Sequence, residues 1–87
     1  AAATAKVIYT GTSITRELYR GCTGEDVKTL QSLLTDYGYT LKVDGEYGAK
    51  TRGMVIAFQK NNGLKEDGVA GQETQTRLYS PEAVRAR

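Results

Sequence analysis

Few side chains among these 87 residues could carry bond-making chemistry. There is no histidine, so a Ser-His-Asp triad and a Cys-His pair are both unavailable. A metal site would have to be built from carboxylates and the single Cys22, which is an unusual donor set for zinc. The carboxylates Glu25, Asp44, Glu46, Glu66, Asp67 and Glu73 remain as stock for a glycosidase-type pair. Asp44 and Asp67, however, each precede a glycine, and aspartate there accepts from N–H groups one or two residues on and closes a turn. The glutamates read as solvated or as helix caps. The expectation is therefore no catalytic residue, no metal and no cofactor. Cys22 follows Arg20-Gly21 at a helix start, so a reactive thiol is one reading of it. Its plainer reading is a small, partly buried side chain. Glycines before two helix starts attract anions, but no P-loop spacing follows them.

The tyrosines are more informative. There are six, beside one Phe and no Trp. Tyr37, Tyr39 and Tyr47 flank the first Asp-Gly pair, and a phenol can stack on a sugar face while donating a hydrogen bond. Arg52 follows closely and suits a carboxylate. Gln31 lies on the edge of a helical stripe, where its amide either faces a groove or bonds a loop backbone. These five are the candidate ligand-binding residues. The competing reading places Tyr37 and Tyr47 in the core and Arg52 among ordinary surface charges.

Three helices would position them. The first follows Thr23, whose hydroxyl is expected to cap it, with Glu25 and Asp26 favourable at the positive helix end. Val27, Leu30, Leu33, Leu34 and Tyr37 form its apolar stripe, and Gly38 stops it. The second spans about 49–62, with Thr51, Met54, Val55 and Phe58 on one face. The third spans about 72–79, with Thr74 and Leu78 inward and Pro81 beyond. Residues 6–10 have strand character and 11–13 signal a turn, so residues 1–17 read as an extended arm or linker. Residues 18–80 read as the domain and 81–87 as a tail whose arginines are solvated.

The loops before the second and third helices are built alike. Asp44-Gly45-Glu46-Tyr47-Gly48-Ala49-Lys50-Thr51 returns as Asp67-Gly68-Val69-Ala70-Gly71-Gln72-Glu73-Thr74. Each follows a helix that ends in glycine and an apolar residue. The unit helix, Gly, apolar, Asp-Gly, Gly, helix thus runs twice in overlap.

In this order the residues resemble the three-helix peptidoglycan-binding domains of bacterial cell-wall hydrolases and carboxypeptidases. The resemblance is carried by Gly21 through Val27, Leu30-Gln31, Leu34, Gly38-Tyr39, Val43-Asp44-Gly45, Tyr47-Gly48, Thr51, Val55, Phe58-Gln59, Gly63-Leu64, Asp67-Gly68, Gly71, Thr74 and Leu78. Cys22, Met54 and Ile56 depart from the pattern, and the segment 1–17 has no counterpart in it. Ile56 lies off the apolar face and is expected to be exposed. The resemblance implies an all-α fold and non-catalytic attachment to peptidoglycan, both glycan strand and stem peptide. It also implies a covalently linked catalytic domain and a secreted or wall-associated location. A different class of function, a docking, spacer or pro-domain role without glycan binding, would be favoured by an apolar patch around Ile56.

Composition sets the outer bounds. With 39% hydrophobic and 25% charged residues the chain is of the folded type and long enough for one small domain. A net charge of +2, with both signs interspersed, gives no nucleic-acid footprint. No apolar run is long enough to span a membrane, so no membrane partner is expected.

Overall fold

The stripe of Val27, Leu30, Leu33 and Leu34 is fully buried on the first helix, α1 (Glu25–Asp36). The structure is a computed structural model and describes residues 14, 16–80 and 83–86. Within them α2 (Ala49–Asn61) and α3 (Gln72–Leu78) follow, and there is no strand beyond two isolated bridges, Leu18 with Ala70 and Thr23 with Glu46. The fold is all-α, as expected. The expected strand at 6–10 and turn at 11–13 lie outside the described residues.

Helix ends follow the glycines. At the end of α1, the Tyr39 N–H donates to the Leu34 carbonyl and the Gly38 N–H to that of Thr35, with Gly38 at φ 92°. At the end of α2, Leu64 N–H reaches Gln59 and Gly63 N–H reaches Lys60, with Gly63 at φ 69°. Both are Schellman closures, which need a left-handed residue at that point. The start of α1 differs from expectation. Its cap is Gly24, at φ 135°, and no side chain caps it. Thr23 is committed elsewhere: it bridges to Glu46, while Gly24 N–H donates to Gly45 O at 3.0 Å. Backbone pairing to the first corner has overridden side-chain capping.

The core gathers around Phe58. Tyr37 and Tyr39 stack on it at centroid distances of 6.1 and 5.8 Å, the second edge-on. Such pairs contribute about 0.5–1.5 kcal/mol beyond their burial. Leu78 from α3 and Val55 from α2 complete the interior.

The described part of the entry segment packs on this core. Leu18 is fully buried and exchanges backbone bonds with Ala70 at 3.2 and 2.7 Å. Arg16 clamps α1 through Asp26, Nε to Oδ2 at 2.7 Å and Nη2 to Oδ1 at 3.2 Å, and also donates to the Thr23 carbonyl. The tail, read from sequence as solvated, is tied down as well. The Asn62 side chain accepts from Val84 N–H at 2.6 Å and donates to its carbonyl at 3.3 Å, and Ala86 N–H reaches Tyr37 O at 2.8 Å. Arg85 itself is exposed.

Candidate functional site

Each Asp-Gly corner is locked by a buried glutamine. Gln31 is 1% exposed on α1. Its Nε2 lies 3.0 Å from Asp44 Oδ1, 3.0 Å from the Glu46 carbonyl and 3.1 Å from Thr51 Oγ1. Its Oε1 accepts from the N–H groups of Asp44 and Gly45 at 3.0 and 2.9 Å. Gln59 on α2 repeats the arrangement one unit later. Its Nε2 meets Asp67 Oδ1, the Val69 carbonyl and Thr74 Oγ1 at 2.9–3.0 Å, and its Oε1 accepts from Gly68 N–H at 3.0 Å. Amide geometry suits this task because one planar group presents donors and an acceptor together.

The aspartates close the corners as their position before glycine implies. Asp44 Oδ1 accepts from Glu46 N–H and Asp67 Oδ1 from Val69 N–H, each at 2.9 Å. Both carboxyls are held below the usual carboxylate value. The cause is first that backbone N–H group, with the glutamine amide adding to it and partial burial opposing it. Gly45 and Gly68 sit at φ 79° and 72°, where a side chain strains the backbone.

Tyr37, Tyr39 and Tyr47 point inward, as the core reading of Tyr37 and Tyr47 expected. Tyr47 is 2% exposed, and its hydroxyl donates to Gly68 O at 2.6 Å, joining the first corner to the second. Burial raises its phenol pKa. Tyr37 donates to Leu78 O at 2.8 Å, and desolvation raises its pKa too. Tyr39 donates to Val84 O and accepts from Asn61 Nδ2. With one Phe and no Trp, the domain draws on tyrosines to fill its core, and each of these three hydroxyls finds a backbone carbonyl. Gln31 likewise has its amide spent on the corner. Arg52 is exposed but leans on the second corner, not the first: a Cβ on Gly68 would stand 2.9 Å from its Cγ and Nε. Cys22 is buried at 9% exposure, and Ile56 is half-buried rather than exposed.

Open space lies where the 38–44 loop crosses α2. A trough of about 450 Å³ runs between them, lined by Tyr39, Thr40, Lys50, Met54, Ala57 and Asn61, with Gly38 and Ala86 at its upper end. Lys50, Met54, Ala57 and Asn61 recur at helical spacing and form one stripe of α2. A second hollow of about 330 Å³ adjoins it at Lys50 and is bordered by Leu41, Lys42, Asp44 and Glu46. The floor is therefore apolar, from Met54, Ala57 and the edge of Tyr39, with Lys50 bordering both spaces and Lys42 bordering the second beside Asp44 and Glu46. This combination suits a ligand with a carbon-rich face and a carboxylate. Of the five sequence candidates, only Tyr39 borders the trough, while Gln31 borders the adjoining hollow. Lys50, Ala57 and Asn61 were not singled out, although their spacing on α2 could have shown a second stripe beside the core one.

A family model described as "Putative peptidoglycan binding domain" matches residues 23–78. The chain belongs to this peptidoglycan-binding domain family. Relatives agree with that placement. The N-acetylmuramoyl-L-alanine amidase CwlM of Mycobacterium tuberculosis is 42% identical over 72 residues, 71% of this chain and 18% of that protein. A spore cortex-lytic enzyme of Bacillus cereus is 47% identical over 62 residues, 70% of this chain and 24% of the enzyme. The chain thus spans less than a quarter of these curated relatives. Among solved structures, the SleB N-terminal domain superposes with a TM-score of 0.73 at 43% identity, covering 77% of this chain and 93% of that one. A peptidoglycan-binding domain of this family accordingly has its described residues organised as two glutamine-locked corners, with a trough beside the first.

Proposed function

We propose that this domain binds peptidoglycan without catalysing its cleavage, and that it holds a covalently linked wall-active domain near its substrate. The observation that carries the reading is the trough of α2 in a chain of this family: an apolar floor bounded by Lys50 and Asn61. Met54, Ala57 and the edge of Tyr39 pack against the carbon-rich face of a sugar or an alanyl methyl of the stem peptide. Lys50, with Lys42 nearby, pairs with a stem-peptide carboxylate, and the Asn61 amide bonds a peptide or acetamido group. Relatives named as a muramoyl-alanine amidase and a cortex-lytic enzyme support a role at the cell wall, and with it a secreted or wall-associated location. Gln31, Tyr37 and Tyr47 serve the site by holding the loop and α2 in register, and Arg52 serves by covering the second corner.

An open, shallow trough gives weak affinity for one repeat unit, and a polymeric wall restores it through repeated sites and the tethered partner domain. Co-sedimentation with insoluble purified peptidoglycan tests the proposal, with chitin as a glycan that lacks stem peptides. The domain is expected in the peptidoglycan pellet and depleted from the chitin pellet. Equal partition into both, or none into either while a known wall binder pellets, overturns it.

A further inference from the structure

The family match ends at residue 78, yet residues beyond it bond back onto the domain. Residues 83–86 form a strap beside the C-terminal ends of α1 and α2. Ala83 packs against the core, and its N–H donates to the Ser80 carbonyl at 3.2 Å. Val84 is held at both backbone groups. The Asn62 side chain accepts from its N–H at 2.6 Å and donates to its carbonyl at 3.3 Å. Ala86 N–H reaches Tyr37 O at 2.8 Å, and its methyl stands 3.6 Å from where a Cβ on Gly38 would lie.

The strap reaches the trough by two routes. Ala86 itself borders the upper end. Val84 acts through a chain of hydrogen bonds: its carbonyl accepts from the Tyr39 hydroxyl at 3.3 Å, and that hydroxyl accepts from Asn61 Nδ2 at 2.9 Å. Tyr39 and Asn61 both line the trough. Two neighbouring amides at the end of α2 thus divide the task. Buried Asn62 holds the strap, and half-buried Asn61 faces the trough. Groups in such a chain orient and polarise one another. If the strap lifts, the Tyr39 hydroxyl loses its acceptor on a residue only 3% exposed, and Asn61 loses the fixed oxygen that aims its amide. The strap borders the trough and leaves about 450 Å³ open, so it is built as a wall and not as a plug.

We propose that residues 83–86 are part of the ligand site. Val84 and Ala86 are positioning residues that set Tyr39 and Asn61, and strap docking and trough occupancy favour one another. That the occupant is peptidoglycan rests on the reading above; the hold of the strap on Tyr39 and Asn61 does not. Linkage makes the claim quantitative. If a lifted strap weakens binding by some factor, a filled trough must tighten the strap by the same factor. A segment that only stabilises the fold has no reason to respond to ligand.

Val84→Pro combined with Ala86→Pro removes the N–H groups that tie these residues to Asn62 and Tyr37, outside the three helices. Its binding to insoluble purified peptidoglycan is compared with wild type by co-sedimentation titration, once the Leu33 and Leu34 amides are shown to stay protected. The expected loss of affinity is about fivefold or more. In the wild-type domain, soluble muropeptides released from the same wall by a muramidase should slow exchange of the Val84 and Ala86 amides by a comparable factor. That measurement carries the test by itself if the variant does not fold. Without any wall material, the variant should shift the Asn61 side-chain amide resonances. Equal affinity of variant and wild type, or strap exchange indifferent to saturating muropeptides, overturns the proposal. Tighter binding by the variant also overturns it, and would make the strap a plug. If wild type fails to pellet while the Asn61 resonances still respond, the peptidoglycan reading falls and the strap stands as a wall of the trough. If neither is seen, both fall.

Discussion

The Gln31 amide nitrogen and the Asp44 carboxylate lie 3.0 Å apart, and through that contact α1 fixes the loop that roofs the trough. The same carboxylate oxygen takes the Glu46 N–H, so one aspartate joins a helix, its own turn and the approach to α2. Gln31→Leu keeps the volume and removes the amide, leaving the Asp44 and Gly45 N–H groups and the Thr51 hydroxyl short of a buried partner. The expected loss is about 2–4 kcal/mol, since each stranded buried group costs about 1–3 kcal/mol. Denaturant melts check this, and Gln59→Leu should match it closely because its partners are the same in kind.

Acid should loosen both corners. Asp44 and Asp67 have native pKa values lowered by backbone N–H groups, with help from the glutamine amides. A carboxyl lowered on folding adds stability that is complete above its unfolded value of 3.8. That stability is lost as pH falls below 3.8 and through the lowered native value. The thermal midpoint, followed from about pH 6 to about pH 2, is expected to drop at the acid end. Asp44→Asn with Asp67→Asn should start lower and fall less steeply. Asp26, lowered chiefly by its hydrogen bond to Arg16, contributes a residual acid slope in that variant.

Gly45→Ala should cost about 1–2 kcal/mol from the left-handed backbone alone. The added Cβ would also stand 3.3 Å from the Gly24 carbonyl. Gly48→Ala is the matched control, since nothing lies within 4 Å of its Cβ and its φ is −101°. Equal losses in calorimetry would show that the corner does not depend on its φ.

Asn62→Ala should free the tail and leave the helices standing. Val84 loses both bonds to Asn62 and keeps only the Tyr39 hydroxyl on its carbonyl, so its amide and that of Ala86 are expected to exchange with solvent much faster, while Leu33 and Leu34 remain protected. Uniform loss of protection would mean that the 83–86 segment is part of the cooperative core.

How much of this could be read from the sequence depended on whether a residue's role was local. Helix ends were legible because Gly38 and Gly63 do a local job. The paired corners were legible because Asp-Gly writes its own turn. The N-terminal cap was misread at Thr23, since the decisive partner, Gly45, lies far along the chain. Gln31 appeared as a stripe-edge polar residue for the same reason. Its twin Gln59 was hidden because Gln31 stands farther ahead of Asp44 than Gln59 does of Asp67, so the glutamines fall out of step with the repeat of the corners. The tyrosines stood open between a core and a ligand-facing reading because their hydroxyl acceptors, Gly68 O, Leu78 O and Val84 O, belong to distant segments. The trough was overlooked because Met54, shared between the core stripe and the open face, was assigned to the core, although the spacing of Lys50, Ala57 and Asn61 marks a second stripe.

The most direct test places a charge on the trough floor. Met54→Glu, with Lys50→Glu as a second variant, is titrated against insoluble peptidoglycan beside the wild-type domain, after equal thermal midpoints are established. Met54 is only partly buried and Lys50 is exposed, so the fold is expected to survive. The account predicts that wild type partitions into the pellet and that both variants remain largely in the supernatant. Variants that pellet as well as wild type would contradict it, and would place wall binding somewhere other than the face of Lys50, Met54, Ala57 and Asn61.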